Sequence, residues 1–262
     1  MAVLVKQVRH LPLMEIIFFR SIPTMLIIPL MIKKTNISFL GNNKFILWLR
    51  SFIETIGMMA AYYALTVMSL TDATTIFNLS PFFTFFLAGI FLQEKLSLRQ
   101  IPFLIFAFLG ALLVIKPGLR LDILPALIAL VAASCMAISF VCLRHLRLTD
   151  HHFVIVNYFS YISGLLSLII LLVQKSFQLP NLSDCLVLIL LGLIGLAAQF
   201  TLTKAYQLAP ANLISLYIYS QIIFASVFGL LFFKEIPDIF SIIGASFIII
   251  SGYLNYRYKL NN

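Results

Sequence analysis

Charged side chains are scarce in this sequence. Asp, Glu, Lys and Arg make up 10% of its 262 residues, where a soluble domain carries roughly 25%. That shortage excludes a globular protein with a water-facing coat, because too little polar surface exists to cover the apolar mass. Cysteine occurs three times, at Cys135, Cys142 and Cys185. The odd number, apolar setting and lack of metal-ligand spacing exclude a disulfide framework or thiolate metal site and predict small buried side chains. Catalytic signatures are missing too. There is no HExxH, no GxSxG and no aspartate-rich pair suited to Mg²⁺ and diphosphate, and no GxxxxGK[ST] loop for direct use of ATP. No metal and no cofactor is implied. The net charge of +9 comes from Lys and Arg residues set singly or in pairs in short connections. Without a basic stripe interleaved with aromatics, this pattern serves membrane topology rather than a nucleic-acid partner.

What is present is apolar length. Hydrophobic residues reach 62%, and several runs exceed the roughly 20 residues that cross a bilayer as a helix. Nine spans are predicted, near 12–32, 45–69, 72–92, 99–116, 122–143, 151–173, 183–206, 210–233 and 238–256. Breakers mark the connections: Asn42-Asn43, Lys116-Pro117-Gly118 and Pro180-Asn181. No cleavable signal precedes them, since the apolar run from Ala2 to Val5 is too short. Lys33, Lys34, Lys44, Lys95, Arg99, Arg144, Arg147, Lys204, Arg257 and Lys259 fall on one side of such a bundle. Lys6, Arg9, Lys116, Arg120, Lys175 and Lys234 fall on the other. The richer side is expected to be cytoplasmic, and with it the carboxyl terminus.

The chain also repeats itself. Residues 60–111 align without gaps on residues 201–252, pairing Ala64 with Ala205, Phe83 with Phe224, Phe91 with Phe232, Ile101 with Ile242 and Phe106 with Phe247. Glu94 pairs with Glu235, which is more telling because acids are rare here. The second half carries five spans, the first half four. A short tail, Met1 to Val5 followed by Lys6, stands where a fifth is expected, and it resembles Phe140 to Leu143 before Arg144. The expected plan is therefore an all-α, polytopic transmembrane helical bundle of two repeats, 1–118 and 119–262. It has nine spans of an underlying ten, the first helix being absent through truncation or a misplaced start. An odd number of spans per half would set the halves in opposite orientations.

Several stretches resemble the EamA-type permeases of the drug/metabolite transporter superfamily. They are Glu15 to Arg20 with Pro29, Leu49-Arg50-Ser51, Tyr63-Ala64-Leu65, Leu70 to Pro81, Gln93 to Ser97 and Gly110 to Gly118. In the second half they are Lys204-Ala205-Tyr206, Ala209-Pro210-Ala211, Phe233-Lys234-Glu235 and Gly244. Ile222 departs from the pattern, standing where the family commonly has proline. The resemblance implies two inverted five-helix repeats and transport of a small-molecule solute, such as an amino acid, nucleobase, vitamin or S-adenosylmethionine-like compound. Membrane lipid is the other implied partner, with room for a homodimer, and a bacterial inner membrane is the expected location.

Ionisable groups inside a bilayer cost several kcal/mol unless paired or hydrated, so each is a site candidate. Arg20 lies near the middle of its span. Glu54, on the antiparallel neighbour, lies at a depth within about 5 Å of it, and Arg50 is one turn from Glu54 on the same face. An Arg20–Glu54–Arg50 cluster is predicted, either lining a cavity or only holding helices together. Pro81 removes one backbone hydrogen bond within its span and frees the carbonyl of Phe77. The repeat sets Asn78 opposite Tyr219 and Ser80 opposite Gln221, and broken helices at a repeat interface are where carriers of this plan bind solute. Asn78, Ser80, Tyr219, Gln221, Gln199 and Tyr217 are the predicted solute-binding residues, with Ser134, Tyr62 and Tyr63 in second rank. The alternative is a packing kink with polar groups bonded across helices. His151-His152 reads as interfacial rather than a proton relay, Lys204 as snorkelling, and the 25 Phe residues as packing or lipid-facing groups. The reading is a secondary carrier working by alternating access. A membrane-embedded enzyme, or a remnant that no longer transports, is the competing reading.

Overall fold

A computed structural model describes residues 1–91, 101–115, 123–208 and 211–260. Only helices occur among the described residues: α1 (Ala2–Gln7), α2 (Leu13–Lys34), α3 (Lys44–Val67), α4 (Leu70–Phe77), α5 (Ser80–Phe91), α6 (Ile101–Ile115), α7 (Leu124–Leu146), α8 (His152–Gln174), α9 (Leu182–Leu208), α10 (Ala211–Phe233) and α11 (Ile239–Leu260). The chain is an integral, multi-pass membrane protein. Among the described residues, six spans are long and apolar enough to cross a bilayer by length and composition: α2, α3, the α4–α5 pair, α7, α8 and α9. Glu94, Lys95, Arg99, the Lys116-Pro117-Gly118 turn, Arg120, Ala209-Pro210 and the 118/119 repeat boundary lie outside the described residues.

Local chemistry sets the helix ends. Asn43 caps α3 by accepting from the Ile46 N–H (3.3 Å), and Ser69 caps α4 by accepting from the Asp72 N–H (3.0 Å). Lys175, at φ 49°, turns the chain out of α8. The predicted span 72–92 is two helices. Pro81 has no N–H to offer Phe77, so the ladder skips: Leu79 N–H bonds Ile76 O (3.0 Å), and both Phe82 and Phe83 bond Leu79 O (2.9 and 3.2 Å).

A shift of 141 residues carries α2 onto α8, α3 onto α9, α4–α5 onto α10 and α6 onto α11, each starting within three residues of its counterpart. The same shift lays α1 over the carboxyl end of α7. Packing follows the same exchange. Helices α2 and α8 pack on each other, as do α6 and α11, and α4 and α10. Contacts of α2 with α9 are mirrored by those of α8 with α3. Helix α7 packs on α3, α4 and α5; α1 packs correspondingly on α9 and α10. At the α6–α11 seam the backbones touch: a Cβ on Gly110 would lie 2.7 Å from the Gly244 carbonyl oxygen.

Two polar knots mark the ends of the bundle. At one end Asp150 accepts from the N–H groups of Asn42 (2.6 Å) and Asn43 (3.1 Å), tying the α7–α8 turn to the α2–α3 connection. At the other, Lys6 and Glu235 pair, Lys6 donates to Met68 O (2.7 Å), and Glu235 accepts from the Leu70 N–H (2.8 Å). Lys6, expected as a loop charge, is 5% exposed. The three cysteines, expected as buried, are only half-buried.

Candidate functional site

A cavity of about 610 Å³ lies among the helices, within the range typical of small-molecule sites. Arg20, Glu54, Asn78, Ser80, Gln199 and Gln221 all contribute to its wall. The break between α4 and α5 delivers Asn78 and Ser80. Helix α2 delivers Arg20, α3 Glu54, α9 Gln199 and α10 Gln221. Much of the remaining wall is apolar and aromatic, including Phe77, Phe140 and Phe159, and α10 presents Phe224, Phe228 and Phe232 at four-residue intervals. Neighbouring rings of that ladder are about 6 Å apart (6.1 and 5.9 Å between centroids).

The charged groups are arranged unevenly. Arg50 Nη2 lies 2.6 Å from Glu54 Oε2, an i,i+4 ion pair whose angle falls outside hydrogen-bond geometry. Glu54 Oε1 accepts from Gln199 Nε2 at 2.7 Å. Gln199 thus takes the place at Glu54 that Arg20 was expected to fill. Arg20 turns instead to the ring of Phe159, its guanidinium carbon 5.5 Å from the centroid, and Arg50 stands 5.6 Å from the same ring. Among the described residues no carboxylate comes within ion-pair distance of Arg20. Arg50 is 1% exposed and does not itself line the cavity.

Tyr62 lines the cavity, its hydroxyl beside the Arg20 guanidinium. Tyr63 and Ser134 do not: Tyr63 is exposed on its helix, and Ser134 donates to Leu130 O (3.0 Å). Rotation about the helix axes turns both of these second-rank candidates away from the cavity. Tyr217 and Tyr219 belong to α10, but their side chains lie outside the described residues. Phe159 and Ser139 were not singled out from the sequence. Phe159 is one of many phenylalanines, and only its juxtaposition with two guanidiniums distinguishes it.

Away from the cavity, His151 caps α8, its Nδ1 accepting from the Phe153 N–H at 3.3 Å. Burial, and secondarily the Lys204 ammonium, lower its pKa from the ordinary 6.5, in keeping with a neutral ring that must offer a lone pair. Among the described residues no group of three or more His, Cys, Asp or Glu could hold a metal ion.

Comparison with known proteins agrees with this architecture. The sequence pattern of the EamA-like transporter family matches residues 1–116 and 123–257. Mouse Solute carrier family 35 member G1 is 34% identical over 94% of this chain and 72% of its own length. The pseudopaline exporter CntI of Pseudomonas aeruginosa is 29% identical over 92% and 85%. The S-adenosylmethionine uptake transporter of Rickettsia prowazekii is 25% identical over 90% and 80%. A solved crystal structure superposes with a TM-score of 0.66 at 14% identity, over 93% of this chain and 86% of the other, which speaks to the fold alone. With both segments matched and relatives aligned along most of their length, the chain belongs to the EamA-like transporter family.

Proposed function

We propose that the chain is a secondary carrier that moves a small solute across the membrane by alternating access, with the central cavity as its solute site. One observation carries the reading. Asn78 and Ser80, from the first matched segment, and Gln199 and Gln221, from the second, reach one cavity beside a broken span. Carriers built from inverted halves bind solute at such a junction and rock one half against the other. The paired packing of α2 with α8, α4 with α10 and α6 with α11 supports two such halves. Lys33, Lys34, Lys44, Arg144 and Arg147 share the end of the bundle knotted by Asp150, which supports that end as the cytoplasmic one; the membrane of this reading is a bacterial inner membrane. A reporter fused after Asn262, active only in the cytoplasm, tests this orientation.

The central test is counterflow in proteoliposomes preloaded with pooled metabolites, reading exchange of labelled solutes. Asn78→Ala and Gln221→Ala should each lower exchange several-fold at unchanged protein level. Full exchange in both variants would remove the cavity from the transport path.

A further inference from the structure

We infer that the solute site takes an organic anion, a carboxylate carried on an apolar or aromatic body, and that Arg20 holds the carboxylate. This inference rests on the cavity being the solute site and deepens that reading.

The charge around the cavity does not balance. Arg20, Arg50 and Glu54 are two cations and one anion, and the anion is already engaged by Arg50 and Gln199. The remaining positive charge belongs to Arg20, which is 7% exposed, lines the cavity and has no carboxylate within ion-pair distance among the described residues. A guanidinium at this depth is stabilised by pairing or by water. The Phe159 ring supplies a modest attraction, but it accepts no hydrogen bond in the plane of the guanidinium. Arg20 Nε is buried and makes no hydrogen bond.

Its neighbours are arranged for the same ligand. The Tyr62 hydroxyl stands beside Arg20, and a planar guanidinium with an adjacent hydroxyl suits the two oxygens of a carboxylate. Two further polar atoms on the wall, Asn78 Oδ1 and Ser139 Oγ, are buried without a hydrogen-bond partner. Asn78 Nδ2 already donates to Thr74 O (2.7 Å), so its free carbonyl oxygen faces a donor still to come, such as an amide or hydroxyl on the solute body.

Helix α9 makes room for the arginine. A Cβ on Gly195 would lie 3.2 Å from both Cγ and Nε of Arg20, so the stem lies flat against a helix with no side chain there. The 141-residue shift sets Gly195 opposite Glu54 and Tyr161 opposite Arg20, so the charged centre is not repeated in the second half. Among the described residues, Arg20 and Glu54 bring the only charged side chains to the wall, and the Phe224–Phe228–Phe232 ladder of α10 offers the apolar surface for the rest of the molecule. Such a cavity gives a solute an orientation as well as a charge.

The test uses the purified 262-residue chain in detergent and three probes of one shape: 3-phenylpropionate, 3-phenylpropanamide and 3-phenylpropylamine. Binding is read by calorimetry and by the rise in Tm. The carboxylate is expected to bind at least about tenfold more tightly than the amide, the scale of one charge-assisted hydrogen-bonded contact, with the amine weakest. Arg20→Gln should abolish that preference, and Arg20→Lys should keep part of it. Equal or better binding of amide or amine, unchanged carboxylate affinity in Arg20→Gln, or no binding of any probe would overturn the inference. The wild-type ranking stands even if a variant fails to fold. Counterflow separates the two readings: a carboxylate that binds without exchanging removes the carrier and leaves this site, whereas exchange confined to cationic solutes does the reverse.

Discussion

Glu54 and Glu235 are both mostly buried and both paired with a cation, yet the two pairs connect different things. Arg50 is four residues from Glu54 on the same helix, and the acid's other oxygen faces Gln199 at the cavity wall. Lys6 is 229 positions from Glu235, and the pair joins α1, the α3–α4 junction and the α10–α11 connection. The first pair is made locally and sets the charge of a cavity. The second is made only when distant parts of the chain have met, so it reports and reinforces assembly. A buried acid in this fold is therefore read by the sequence distance of its partners.

The largest effect should come from breaking the long-range clasp. Lys6→Met leaves Glu235 without its cation, and orphaning one member of a buried pair costs about 3–5 kcal/mol. A large fall in Tm in detergent is the expected result. The double variant Lys6→Met/Glu235→Leu should recover most of it, because two apolar groups replace two charges. If the double variant is no more stable than the single, the clasp is not an ion pair in function.

Next comes the central pair. Glu54→Gln keeps an oxygen for Arg50 and an amide facing Gln199, so its Tm should fall less than that of Lys6→Met. Solute exchange should fall about tenfold, because the charged hydrogen bond from Glu54 fixes Gln199 at the cavity wall. Stability and exchange falling in proportion in both variants would erase the distinction between the two acids.

Gly195→Ala pushes on Arg20 without touching any charge. The new methyl group meets the arginine stem at 3.2 Å, so solute affinity should drop a few-fold with little change in Tm. An unchanged affinity would mean that the arginine's seat is unimportant. His151→Ala should do least, removing a helix cap at about 1 kcal/mol and leaving exchange intact. The lowered pKa of His151 adds a sign. The folded state binds fewer protons here than the unfolded one, so stability falls as pH drops through 6.5, and a Tm–pH profile on His151→Asn should be shallower there than that of the unaltered chain, the His152 ring 3.9 Å away keeping a slope of its own.

Much of this architecture was legible from residue type and spacing. The ends of α2, α3, α8 and α9 fall within three residues of the expected spans, because apolar length against bilayer thickness leaves little freedom. Asn78, Ser80 and Gln221 share one cavity wall, the neighbourhood to which Pro81 and the repeat pointed; neither pointed to Gln199. Rotation about helix axes was not legible. Depth put Arg20 level with Glu54, yet Gln199 reached the carboxylate, while Tyr63 and Ser134 turned elsewhere. Lys6 and Glu235 looked like separate loop residues, because nothing in a linear sequence indicates which connections meet. The Phe159 ring between two arginine interactions gives no pattern of its own among so many phenylalanines.

The interruption at Asn78–Leu79 bears on how the protein is made. The eight residues of α4 rise about 12 Å and the twelve of α5 about 18 Å at 1.5 Å per residue. Neither reaches across a hydrocarbon layer about 30 Å thick. Only their sum does, so the segment must enter the bilayer as a single 22-residue span. During biosynthesis the freed carbonyl of Phe77, left without the Pro81 N–H from the start, would then face lipid until neighbouring helices arrive.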